Sequence, residues 1–312
     1  MEKLNLLNAN GVYYIEKSGM KLALSYMQPF SMYSDDYVSV QLNNKPIIKS
    51  EKKGVDRILD SLEDMTGMKL NLPPNMNEMV KNMFSDKNAL KDMMGKFGMD
   101  SSKLDNMNMD FDLNDDSAFD SIINSYNKKA GLNFNAILGA DNLNKFMILF
   151  EFEEDNISFF SDKVEVGELI GTSYHISNIN KEGYIASSLS LLEINNIKIK
   201  SVFDLTGKYI YLSETIHNDV MNKQTEMPES KIDSDYLSHL GVVNDTFFKL
   251  NIKAEYLNKK AWIGKLPELG DVLAEGLKEL KGSLDAYIPL SFFKNGVLID
   301  GINKKFGYKK EV

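Results

Sequence analysis

Cysteine is missing from this chain of 312 residues. Its absence excludes disulfides, thiol catalysis and Cys-ligated zinc or iron–sulfur sites, without fixing a compartment. Arginine is almost missing as well: Arg57 is the only one, and the rest of the basic charge is lysine. Little bidentate phosphate recognition can therefore be built. Basic charge is also in deficit, 36 residues against 45 acidic ones, for a net charge of −9 and a pI near 5.0. That balance excludes a nucleic-acid partner, which would need a basic face. No apolar run approaches 18 residues, so no transmembrane segment is expected. The start, MEKLNLLNANGVYYIEKSGM, lacks the uninterrupted apolar core of a signal peptide. Location stays open: soluble, and periplasmic or secreted if a leader was removed, otherwise cytoplasmic. The three histidines, His175, His217 and His239, show no ligand spacing. There is no P-loop and no Gly-x-Gly-x-x-Gly after a strand, so neither a metal nor a cofactor is expected.

What is present is a globular composition, 43% hydrophobic and 26% charged, enough for one large domain or two of about 150 residues. Four zones follow one another. Residues 11–50 carry short apolar runs, and the alternation Val38, Val40, Leu42 reads as a strand ended by Asn43-Asn44. Residues 55–130 turn to helical spacing: Met76, Met79, Val80, Met83 and Phe84 form one stripe, and Leu90, Met93, Met94 and Phe97 repeat it. A further helix is expected over Ala118–Lys129, stopped by Gly131. Residues 132–212 return to strands. The last zone mixes strands at 247–252, 260–263 and 297–299 with a helix over Leu269–Leu280.

An internal repeat emerges. Leu42-Asn43-Asn44 recurs as Ile194-Asn195-Asn196, 152 residues on, and each is followed by a short strand ending in Lys-Ser. A helix ending Lys129-Ala130-Gly131 is answered by one ending Leu280-Lys281-Gly282, 151 residues on. Each glycine precedes an apolar segment, a helical turn and two strands. The pattern reads as a duplicated unit of about 150 residues.

These landmarks resemble the two-lobed, retropepsin/pepsin-like aspartic protease fold. Ala136-Ile137-Leu138-Gly139-Ala140-Asp141-Asn142-Leu143 is similar to that family's apolar-apolar-Gly segment, with Ile137, Leu138 and Gly139 as its structural core. Ala286-Tyr287-Ile288-Pro289 stands in the same place of the second half, with Pro289 for the glycine. Val202-Phe203-Asp204-Leu205-Thr206-Gly207 resembles the catalytic Asp-Thr-Gly turn with Leu205 interposed. The resemblance implies an α+β, β-rich fold: two related lobes of antiparallel sheet, residues 1–165 and 166–312, with a helical Met-rich insertion at about 60–130 in the first. It also implies a cleft between the lobes.

The departures bear on chemistry. An aspartic protease needs two carboxylates about 3 Å apart, sharing a proton. Here Asp204, with Thr206 and Gly207, supplies one turn, while a single 152-residue offset puts Lys52 opposite it. The first reading is therefore a lapsed protease-like protein, not an enzyme, binding a peptide or protein in the inter-lobe cleft or through its helices. The alternative is an active aspartic endopeptidase (a hydrolase) using Asp204 in an atypical dyad, and a further one is a scaffolding protein with no pocket. Met76, Met79, Met83, Met93 and Met94 are candidate binding residues, since methionine makes adaptable apolar surfaces; packing and Cu(I) ligation are the other readings. Asp110-x-Asp112-x-Asn114 begins like a calcium loop but lacks the glycine and glutamate that loop requires.

Overall fold

A computed structural model describes residues 1–26, 28, 31–49, 117–161, 173–178, 189–194, 196–237, 241–266, 285–294 and 296–311. The chain divides into two compact units, one formed by Met1–Lys49 with Ser125–Val312 and the other by Ser50–Asn124. The first carries the sheets. Of the second, only 117–124 is described. The Met-rich stripes, Lys52, the calcium-like loop start and Leu269–Leu280 all lie outside the described residues.

The fold is β-rich. Its first sheet has five strands, in the order β2 (Leu7–Ala9), β3 (Val12–Lys17), β4 (Met20–Leu24), β8 (Ala136–Leu138) and β5 (Met32–Tyr33). Strand β8 is Ala-Ile-Leu, buried throughout, as expected of a central strand with both faces covered. It runs parallel to β4 in the register Leu22↔Ala136, Ala23↔Ile137, Leu24↔Leu138. Helix α1 (Ser117–Ala130) leads into it. Gly131, at φ +68, ends that helix, and the N–H groups of Gly131 and Leu132 both return to the Asn127 carbonyl.

A seven-stranded mixed sheet has the order β12 (Leu189–Ile194), β13 (Ile197–Asp204), β18 (Ala286–Pro289), β14 (Ile210–Leu212), β17 (Leu257–Lys265), β16 (Gly241–Ala254) and β15 (Ser230–Leu237). An extra β12–β16 pairing curls it toward a half-barrel. Period-two alternation sorts its faces: Leu250, Ile252, Leu257 and Ile263 join the main core, while Phe247 and Trp262 pack on the other face with Tyr209, Tyr211 and Tyr287. Strand β18 is buried throughout, like β8, and runs parallel to β13 in the register Phe203↔Ile288, Asp204↔Pro289. Between β14 and β15 lies α3 (Glu214–Asn222), capped by the Ser213 hydroxyl on the Ile216 N–H.

A third, six-stranded antiparallel sheet joins segments from both ends of the chain: β1 (Glu2–Asn5), β10 (Asn156–Phe160), β9 (Met147–Glu151), β19 (Val297–Asp300), β20 (Lys305–Lys309) and β11 (Tyr174–Asn178). At its centre β9 and β19 pair around Ile148↔Ile299. Short helical turns, α2 (Ala140–Leu143) after β8 and a 3₁₀ turn Leu290–Phe292 after β18, feed these two strands. One continuous apolar core includes Leu22, Leu24 and Leu138 together with Phe203 and Ile288.

The last sheet is the small hairpin β6 (Val40–Leu42) and β7 (Lys45–Ile47), turned by Asn43 and Asn44 at positive φ. Here the sequence reading needs correction. Val38 is 60% exposed and outside the strand. More importantly, among the described residues β7 pairs with β6 alone, whereas β13 pairs with both β12 and β18. The strand lying parallel to β8, as β13 lies parallel to β18, is β4. Asn44 and Asn196 both sit at positive φ, which Asn tolerates, and this common turn chemistry accounts for the 152-residue spacing.

Candidate functional site

Strand β13 alternates Ile197, Ile199, Ser201 and Phe203 toward the interior and ends on Asp204, which is fully buried. A buried carboxylate needs several partners, because burial favours the neutral form unless hydrogen bonds hold the charge. Asp204 has them. Its Oδ1 accepts from the Tyr26 N–H at 3.2 Å and lies 3.4 Å from the Ser25 hydroxyl. Its Oδ2 accepts from Thr206 Oγ1 at 2.7 Å and from the Tyr287 hydroxyl at 3.0 Å. Tyr287 also lies 2.8 Å from Thr206 Oγ1, tying β18 to the turn. Burial pushes the Tyr287 hydroxyl well above its ordinary pKa, and the nearby Asp204 charge adds to the shift.

The residue across from Asp204 is thus Ser25. Register says the same: Leu24 opposes Leu138 as Phe203 opposes Ile288, which sets Ser25 against Gly139 and Asp204 against Pro289. Lys52 is outside the described residues, and the strand that led to it in sequence does not approach this turn by pairing. Ile137 and Leu138 end β8, with Gly139 capping α2 just beyond, and Tyr287, Ile288 and Pro289 end β18.

Beyond Asp204 the chain turns through Leu205, Thr206 and Gly207. Gly207 sits at φ +89, and a Cβ there would lie 2.9 Å from Leu237, so glycine is required twice over. A second buried carboxylate, Asp235 on β15, clamps the far side of the turn. Its Oδ2 accepts from Lys208 N at 2.7 Å, Tyr209 N at 3.2 Å and the Tyr211 hydroxyl at 3.1 Å. On the first pair, the motif residue Asp141 plays a similar part. It accepts from the Ser31 N–H at 2.8 Å and hydroxyl at 2.7 Å, fastening the residue just before β5 to α2. Burial raises the Asp141 pKa, and the Ser31 hydrogen bonds oppose that rise.

Tyrosines belong to the surroundings of Asp204: the Tyr287 hydroxyl bonds it directly, and Tyr236 feels its charge. Tyr26, Tyr126, Tyr236 and Tyr287 are all buried. Tyr126 and Tyr236 meet edge to face with centroids 6.2 Å apart, and the Asp204 charge raises the Tyr236 hydroxyl after burial has done so. Leu205 and Thr206 are also inaccessible. Asp204 itself is 0% exposed, so its carboxylate does not face open space.

Open space begins one residue further on. A groove of about 780 Å³ is lined by Lys208, Lys259, Lys260, Trp262, Lys294 and Lys310, among others. An adjoining space of about 510 Å³ shares Glu153, Lys208, Ser291 and Lys294 with it and reaches Gly207. The sequence reading missed Ser25, Tyr287, Asp235 and this groove. A legible signal existed for the first: Leu22-Ala23-Leu24-Ser25, an apolar strand running into a small hydroxyl residue, resembles Ser201-Val202-Phe203-Asp204 in pattern.

Among the described residues no group of three or more His, Asp or Glu side chains could hold a metal ion. No helix among them is long and apolar enough to cross a membrane. In comparisons with known proteins, no family model matches the chain, and no curated protein matches it.

Proposed function

We propose that this chain is a catalytically lapsed, aspartic-protease-like binding protein built from two related halves, whose ligand is a peptide or a segment of another protein. Three features support the relation between the halves. Each has an apolar central strand parallel to the strand that leads into the turn, β8 with β4 and β18 with β13. Each continues through a short helical turn into a hairpin, β9–β10 and β19–β20. The two hairpins then meet at the centre of one six-stranded sheet.

The observation that carries the lapse is the pairing of Asp204 with Ser25. Acid–base catalysis on a bound water needs one carboxylate as base and a second as acid, with a proton shared between them. A serine hydroxyl can donate a hydrogen bond to Asp204 but cannot share its charge. The Asp204 oxygens are taken up by Tyr26, Thr206 and Tyr287 as well, so the group serves as the knot that joins β4, β13 and β18.

The test is an endopeptidase assay on a mixture of unstructured peptides between about pH 3 and pH 7. The expected result is no cleavage at any pH and no binding of a transition-state-mimicking peptide inhibitor. Acid-favoured cleavage that disappears in Asp204→Asn would overturn the reading and make the chain a peptidase.

A further inference from the structure

We infer that the lysine-lined groove beside Gly207 is a binding site for an extended acidic peptide segment, an inference that rests on the binding-protein reading above. The charge distribution is the starting point. The chain as a whole is acidic at −9, yet this one concavity gathers Lys208, Lys259, Lys260, Lys294 and Lys310 against only Glu153 and Glu311. Lys259 is internally engaged, with its Nζ 2.8 Å from Glu311 and 2.5 Å from the Phe292 carbonyl. Lys260 and Lys294 are exposed and form no salt bridge among the described residues. Concentrating like charges costs Coulomb energy, and an anionic ligand relieves it.

The chemistry of the walls narrows the ligand. Lysines without arginine offer single point charges on flexible stems, suited to carboxylates in varied positions and poorly suited to forked phosphate recognition. The overall charge of −9 repels a long polyanion at a distance, so a short anionic stretch within a polypeptide fits better than a nucleic acid. Trp262 supplies an apolar surface in the same groove, half-buried, with Lys231 and Lys249 lying 4.6 Å and 5.3 Å from its ring. A groove combining an aromatic platform with spaced cations suits a peptide whose carboxylates alternate with apolar residues.

Trp262 is the single tryptophan of the chain, so the emission comes from this groove wall and a change on titration reports on its surroundings. The experiment titrates the full chain with three fluorescein-labelled eight-residue peptides, one glutamate-rich, one neutral and one lysine-rich, plus an eight-nucleotide single-stranded DNA. Peptide anisotropy is read with the labelled probes, and Trp262 emission with unlabelled copies of them. The expected result is saturable binding of the acidic peptide alone, with a change in Trp262 emission. Salt should weaken it, and Lys260→Glu with Lys294→Glu should weaken it about tenfold or more. Lys260→Gln with Lys294→Gln, a milder pair, should give a smaller loss with an unchanged melting temperature. Binding of the neutral peptide in preference to the acidic one would overturn this inference while leaving the binding-protein reading standing. Tighter binding of the DNA would also overturn it, in favour of a polyanion site. Failure of every peptide to bind would overturn both.

Discussion

Two strand pairs in this molecule carry the same geometry and different residues at the same point. In one, β4 lies parallel to β8 and ends on Ser25; in the other, β13 lies parallel to β18 and ends on Asp204. Both central strands are wholly buried, and both are followed by a short helical turn. The difference is one of chemistry: a hydroxyl on one side, a carboxylate on the other, 3.4 Å apart. A pair of acids at this spacing would share a proton and be poised for catalysis. A serine and an acid instead form a hydrogen-bonded joint. The comparison shows that strand pairs of one geometry can end on different side chains, and that here the two ends are held together by a hydrogen bond.

The harshest way to break that comparison is alkali. Tyr26 and Tyr287 flank the joint, and burial holds both hydroxyls well above their ordinary pKa of 10.0. Their folded-state pKa is raised, so the stability they contribute is present below pH 10 and is lost as pH rises from there toward the folded value. Cooperative unfolding above pH 10 is expected, followed by circular dichroism, with these tyrosines ionising in the same step when absorbance near 295 nm is monitored. Ionisation of every tyrosine well before unfolding would contradict the burial of this pair.

Next in size is Asp204→Ala. It strands the Tyr26 N–H in a dry interior and takes the carboxylate acceptor from the Thr206 and Tyr287 hydroxyls, which keep each other and the Thr206 carbonyl as partners, a loss of about 3 kcal/mol. Urea denaturation reads it directly; a loss under about 1 kcal/mol would show that Asp204 is not the knot. Gly207→Ala should cost about 2 kcal/mol, because φ +89 and the Leu237 contact act together. Gly131→Ala, at φ +68 with open space around it, should cost about 1 kcal/mol. Reversal of that order would mean the Leu237 side chain yields freely. The smallest effect belongs to Ser25→Ala, about 1 kcal/mol, since its hydroxyl is one of several groups around Asp204. A Ser25→Ala loss as large as that of Asp204→Ala would remove the asymmetry between the two halves.

Much of the local structure could be read from residue order. The strands β9, β10, β13 and β16 follow apolar alternation, and α1 ends where Gly131 said it would. Strand β15 could not be read, because Ser230–Leu237 is polar along its outer half and sits at a sheet edge. Helix α3 escaped as well; a nine-residue helix that buries little beyond Val220 leaves a weak stripe. The candidate site was half legible. Asp204, Thr206 and Gly207 could be picked out by motif, but their partners could not, since Ser25, Tyr26 and Tyr287 reach the turn from segments far away in sequence. Ser25 and Asp204 stand 179 residues apart, whereas Ala136 and Ala286 stand 150 apart, because the first half holds the longer connection between its paired strands.

By itself, then, the sequence determined which segments extend, where the hairpins turn and where an acid follows an apolar strand. These depend on the period of side chains along one stretch of backbone and on the φ that Asn and Gly allow. Tertiary structure alone decided that Ser25 meets Asp204, that this acid is buried with the Tyr287 hydroxyl on it, and that lysines from positions 208 to 310 line one groove beside Trp262. Those facts depend on which strands lie side by side, and sheet order is set by the burial of the whole core, to which no single stretch of residues holds the key.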